Sequence, residues 1–324
     1  MSPNKTEFYP FYDPCLKGKG KVMGYDSKVG ISVAVGLFFD MLLYLSIPDK
    51  AVYFEQNCWF IGVIISTSML ALYIATDVFR RNLVVFNAFE GSAQISQEIV
   101  TRWLSNKHYW LFGLSLGTII TTVMHLLGIP GDLHGSALAL ALMYAGYFLA
   151  GLAAGMGVWG IFSIIVLYLK FAPNLPHALD PDNADGSGGI KPLGDALWFF
   201  AALILAVGIL ISIYMFGVSW ENMDKDYAQM LFVFWTAFPY LVAISVVLIP
   251  GLAFRRQVTA FKHYKAEQLN QEKARIYAKF KDFELADDEA IISSKKALGE
   301  KLSAVQEQME KLRKMRNSHI DAGD

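Results

Sequence analysis

The chain has 324 residues, of which 54% are apolar and 18% charged, with a formal net charge of −1. This apolar excess, with mean hydropathy +0.37, excludes an ordinary soluble domain, and the near-balance of charge gives no footing for nucleic acid. Its two cysteines, Cys15 and Cys58, fall in segments expected on opposite faces of a membrane, which excludes a disulfide framework, and neither sits in a CxxC metal pattern.

Residues 1–28 form an arm. Phe8-Tyr9-Pro10-Phe11-Tyr12 is aromatic and suits the headgroup level of a bilayer. Lys17-Gly18-Lys19-Gly20-Lys21 suits anionic lipid heads, at ~1 kcal/mol per basic residue, and lacks the spacing of a phosphate-binding loop. No short apolar core followed by small residues marks a cleavable signal peptide.

A membrane-spanning helix needs about 20 apolar residues. Such stretches fall at 29–48, 56–77, 109–128, 136–169, 194–216 and 229–253. An even count places both termini on one side. If that side is cytoplasmic, only Lys50 and Lys225 of the 28 Lys and Arg residues lie in outer loops, as the positive-inside bias requires. Asp49, Glu55, Asp132, Glu221, Asp224 and Asp226 make those outer loops acidic. The expected fold class is therefore all-α: a polytopic integral membrane protein of six transmembrane helices with a cytoplasmic helical tail.

In the first span, Asp40 stands in Phe38-Phe39-Asp40-Met41-Leu42. A carboxylate inside hydrocarbon is costly and reads as functional by default. Tyr44, Thr118, Thr121, Thr122 and His125 are its candidate partners. Asp40, His125, Thr118 and Thr122 are accordingly the candidate pore residues, and interhelical hydrogen bonding is the alternative. Asp77 marks the inner end of the second span. Between spans two and three, Val84, Val85, Phe89, Ile95, Ile99, Val100 and Trp103 recur at helical spacing, which predicts an amphipathic connector that Gly91-Ser92 interrupts.

The fourth span has no charge from Gly135 up to Lys170. At 1.5 Å per residue it exceeds the bilayer and must tilt, kink or project. Gly151-Leu-Ala-Ala-Gly155 is a small-xxx-small pair that lets helix backbones approach closely. Beyond it, Pro176-His177-Ala-Leu-Asp180-Pro181-Asp182-Asn183-Ala-Asp185-Gly186-Ser187-Gly188-Gly189 is the densest polar stretch. His177, Asp180, Asp182 and Asp185 are candidate ligand or gate residues. The three carboxylates could hold a hard cation, although their spacing is not that of an EF-hand. A plain Asx- and Gly-rich turn is the competing reading. The stretch resembles a His-Pro-Asp-x-x-Gly-Gly signature of bacterial multi-pass proteins, interrupted because Ala178-Leu179 separate His177 from Asp180. The resemblance implies no activity.

Residues 255–316 form the tail, with 317–324 a disordered end. Leu269, Ile276, Phe280 and Phe283 mark one apolar stripe. After a candidate cap at Asp287 or Asp288, Ile291, Leu298, Leu302, Val305, Met309 and Leu312 form a short heptad seam. The two stripes must close on each other as a hairpin or associate between subunits. No triad, HExxH or dinucleotide fingerprint occurs, so no enzyme and no cofactor are expected. The expected function is an ion-conducting, channel-like homo-oligomer whose tail regulates or assembles it. The alternatives are a non-conducting scaffold or signalling protein, a secondary transporter, and a membrane enzyme using the Asp-rich loop. Expected partners are the lipid bilayer, further copies of the chain and a cytoplasmic protein on the tail, but no nucleic acid.

Overall fold

The computed structural model describes residues 24–87, 92–103, 106–129, 133, 135–183, 186–283 and 289–316. Among these the regular structure is helical, without strands. Six helices are long and apolar enough to cross a membrane: α1 (Tyr25–Ser46), α3 (Phe60–Asn87), α5 (Asn106–Leu127), α6 (Ala137–Phe171), α8 (Lys191–Gly217) and α9 (Asp226–Phe283). Shorter helices are α2 (Lys50–Glu55), α4 (Ser92–Glu98) and α7 (Leu175–Ala178), and α10 (Glu289–Lys314) closes the described chain. Residues 1–23 of the N-terminal arm with Cys15, Asp132, Asp185, the caps at Asp287 and Asp288, and 317–324 lie outside the described residues, whereas the arm's last residues, from Tyr25, already belong to α1.

The expected spans are matched in number and order, and their ends differ in instructive ways. Helix α2, in the first connection, carries no span-like pattern; the Asp49 carboxylate caps it by accepting from the Ala51 N–H at 2.9 Å. Helix α3 runs ten residues past the expected end at 77, and the buried Phe86 ring packs edge-on with Tyr168 and Phe171 of α6. The amphipathic connector divides into the end of α3, α4 and a π-helical turn Ile99–Trp103. Trp103 stacks on Trp159 of α6. Glu98 reaches Lys170 at 2.7 Å, and that hydrogen bond holds its carboxyl below the usual range.

Helix α9 spans 58 residues, roughly 87 Å at 1.5 Å per residue, and continues through Pro239 and Pro250 from the apolar segment into the tail. Each proline removes one ladder bond. At Pro239 the neighbour is Gly208 of α8, where an added Cβ would lie 2.8 Å from the proline Cβ. The ring thus fills the notch that the glycine leaves. Helix α10 folds back antiparallel along α9, burying Leu269 and Ile276 with Val305 and Leu312, and Leu298, Leu302 and Met309 flank them. Glu307–Lys311 and Glu310–Lys314 pairs at 2.8 and 2.6 Å support its exposed face.

Helices α5 and α6 cross closely. Gly151 lies over Gly117 and Gly155 over Gly113; an added Cβ would come within 2.8 and 2.9 Å of the facing Cα atoms. The expected small-xxx-small pair therefore meets a second one, Gly113-Leu-Ser-Leu-Gly117. On the other side, Gly36 of α1 lies against the Gly62 carbonyl and Ser66 of α3.

Candidate functional site

Asp40 accepts a hydrogen bond from the backbone N–H of Gly62 at 3.1 Å. Gly62 is in the first turn of α3, where N–H groups have no partner within their own helix. A side chain of α1 therefore caps α3. Gly62 is needed for the approach: an added Cβ would lie 2.3 Å from the Asp40 carboxyl carbon. Asp40 thus faces a neighbouring helix of the same chain, near the end of the bundle opposite the tail.

The other expected pore residues lie elsewhere. Ser115, Thr118, Thr122 and His125 are exposed along one face of α5. The hydroxyls of Ser115, Thr118 and Thr122 donate to the carbonyls of Leu111, Leu114 and Thr118 of their own helix, at 2.8, 2.9 and 2.9 Å. His125 Nδ1 lies 2.6 Å from the Tyr144 hydroxyl of α6. Asp40 and the α5 threonines are not brought together.

At the tail end of the bundle, Lys28 of α1 pairs with Asp77 of α3 at 2.5 Å, with side-chain exposures of 3% and 30%. Arg80 stands 3.9 Å from the same carboxylate. Sequence reasoning counted Lys28 only as part of a basic arm. A helical register in which Lys28 falls on the buried face with Ser32, Gly36 and Phe39 was the available signal.

The Asp-rich loop folds as a turn. The Asp180 carboxylate accepts from the Asp182 N–H at 2.9 Å, the Asp180 N–H donates to the Gly188 carbonyl, and Gly186, Gly188 and Gly189 supply positive φ. His177 lies on α7 just before it. The tail docks here. Lys311 reaches the Asp182 carboxylate at 3.0 Å, the Arg316 N–H donates to the Gly186 carbonyl at 2.9 Å, and the Met315 methyl packs on Gly188 and Leu179. Lys262 of α9 donates to the Met315 carbonyl. No group of three His, Cys, Asp or Glu side chains among the described residues is placed to hold a metal.

A feature with room for a ligand lies between the helices of the bundle. A cavity of about 190 Å³ is bounded by α3, α5, α6, α8 and α9. Its walls are apolar: Ile64 and Leu72 of α3, Ile120 and Met124 of α5, Ala154 and Val158 of α6, Leu203 and Val207 of α8, and Phe238 and Val242 of α9. Ser68, Tyr147, Tyr214 and Trp235 are the lining residues that carry a polar side-chain atom, and no Asp, Glu, Lys, Arg or His lines it. The space exists because small residues stand where large ones would close it. Gly157 lines it, and an added Cβ there meets no atom within 4 Å. At the end away from the tail, the buried hydroxyls of Tyr147 and Tyr214 lie 2.7 Å apart. Neither tyrosine was singled out from the sequence, since a tyrosine 67 positions from its partner carries no periodic signal. No protein-family model, curated protein or solved structure matches this chain.

Proposed function

We propose that this chain is a multi-pass membrane protein that binds one small apolar ligand inside its helix bundle, with the docked tail on the cytoplasmic side. The observation that carries the proposal is the cavity between α3, α5, α6, α8 and α9. An apolar cavity of about 150 Å³ stays dry and admits a benzene-sized molecule; this one, at about 190 Å³, is larger. Its lining favours a ligand that shares the chemistry of the bilayer interior, and it favours binding over ion passage, because no charged side chain faces it. The engagement of Asp40 with Gly62 supports the same preference, since the carboxylate serves a helix end.

Photolabelling tests the proposal. A diazirine-bearing hydrocarbon should label peptides of α6 and α9 around Ala154 and Phe238, and Gly157→Leu, which grows a side chain into the cavity, should remove that label. Labelling that Gly157→Leu leaves unchanged overturns the proposal.

A second reading, ion conduction, is favoured by the exposed Ser115, Thr118, Thr122 and His125 face of α5. In this reading further copies of the chain supply the rest of the path. Planar-bilayer recording of the reconstituted protein, compared with Thr118→Leu and Thr122→Leu, separates the two: a conductance that those substitutions abolish favours the path between copies.

A further inference from the structure

The two ends of the cavity differ. Its walls toward the tail are aliphatic and aromatic, from Leu72, Ile161 and Phe200, whereas Tyr147 and Tyr214 close the far end. Both tyrosines are buried, at 4% and 3% exposure. Each phenol carries one proton and can both donate and accept. At 2.7 Å one hydroxyl donates to the other, and this is the hydrogen bond that either makes among the described residues. The pair therefore has two protons and uses one. Both residues line an apolar cavity, so the second O–H is a buried donor beside that space, and leaving such a donor without an acceptor is costly.

We infer that the far end of the cavity binds its ligand through a single carbonyl or ether oxygen, which accepts the proton that the Tyr147–Tyr214 pair leaves over. This rests on the cavity being a binding site and adds the class of ligand: an apolar molecule of roughly aromatic-ring size, or the end of a longer chain, with one acceptor oxygen at its tip. The first phenol polarises the second, so the free O–H is a stronger donor than that of an isolated tyrosine. A hydrocarbon of the same shape fills the space and leaves the donor unanswered. A charged ligand is disfavoured, because nothing on these walls balances a charge.

The test uses two probes that differ at one atom position, 4-bromoacetophenone and 1-bromo-4-ethylbenzene. Bromine quenches tryptophan fluorescence on contact, and Trp235 lines the cavity. Titrated into the full-length protein in detergent, both should quench, and Trp235→Phe should remove the saturable part of the quenching, leaving that of the exposed Trp59, Trp110 and Trp198. The ketone should bind about tenfold more tightly, the range of one net hydrogen bond to a buried donor. Tyr147→Phe and Tyr214→Phe should each keep the preference, since the remaining phenol still has its proton to give. The double variant should bind the two probes equally, with its affinity for the ethylbenzene unchanged, which also reports an intact fold. Equal affinity in the unsubstituted protein overturns the inference and leaves the binding site standing. A preference that survives in the double variant overturns the assignment to the tyrosines. Quenching that never saturates and that Trp235→Phe leaves unchanged overturns the binding site and the inference together.

Discussion

Asp40 of α1 closes the N-terminus of α3 by accepting from the Gly62 N–H at 3.1 Å, so the one carboxylate within the first span serves a helix end. Asp40→Ala should therefore destabilise the fold by about 1–2 kcal/mol, the value of a helix cap. Asp40→Asn keeps an acceptor oxygen and should cost less than half as much. Gly62→Ala should be worse than either, because its Cβ would meet the Asp40 carboxyl at 2.3 Å. Thermal unfolding followed by circular dichroism in detergent ranks the three.

The Lys28–Asp77 pair gives an asymmetric prediction. Lys28 is almost wholly buried, whereas Asp77 is partly exposed and also has Arg80 nearby. Asp77→Asn leaves a buried ammonium without its counter-charge and should cost about 3–5 kcal/mol. Lys28→Met leaves a carboxylate with a second cation in reach and should cost less. Equal losses in chemical unfolding would contradict this account of the pair.

At the α5–α6 crossing, Gly151→Leu and Gly155→Leu should abolish a stable monodisperse protein, because the Cα atoms of Gly117 and Gly113 stand in the way and belong to backbone. Gly160→Leu, where an added Cβ meets nothing within 4 Å, should be tolerated. Size-exclusion profiles of the three variants decide the point.

The tail dock combines one exposed ion pair with one buried side chain. Lys311 is held above the usual lysine range by its hydrogen bond to Glu307 first and to Asp182 second. With the folded value raised, its contribution is complete below the ordinary lysine range and is lost only as pH rises through the higher folded value. The pair is exposed, so salt should weaken it and Lys311→Glu should have a small effect. Met315 is buried against Gly188 and Leu179, so Met315→Asp should release the dock. Amide hydrogen exchange at Gly186–Gly189 should rise strongly for Met315→Asp and slightly for Lys311→Glu.

Six helices of spanning length were legible in the sequence, because length and hydropathy determine them without tertiary information. The continuity of α9 was not, because the expected sixth span, which already ran through Pro239 and Pro250, was ended at 253, where charged residues replace the apolar run. Their lost bonds are tolerated where a neighbour such as Gly208 gives the ring a place to pack. The heptad stripes of the tail were legible, and the hairpin was one of the two arrangements they allow. Gly151 and Gly155 were read correctly as close-packing residues, but their partners were missed. In Gly113-Leu-Ser-Leu-Gly117 and its continuation the hydroxyls of Thr118 and Thr122 drew the reading toward a pore. Helical periodicity shows that Thr118 and Thr122 share a face; it does not tell whether that face looks into the bundle or out of it. Lys28–Asp77 and Tyr147–Tyr214 join residues 49 and 67 positions apart. The cavity arises where five helices fail to close on each other, a property of no single segment.

Native mass spectrometry of the protein released from its own membranes reads the occupancy of the cavity. One apolar adduct per chain is expected, retained through delipidation that removes surface lipid and lost when Gly157→Leu fills the cavity. An adduct pattern identical in the two proteins, or a protein that carries no such adduct and takes up none when exposed to small apolar ketones, would contradict a ligand in the cavity.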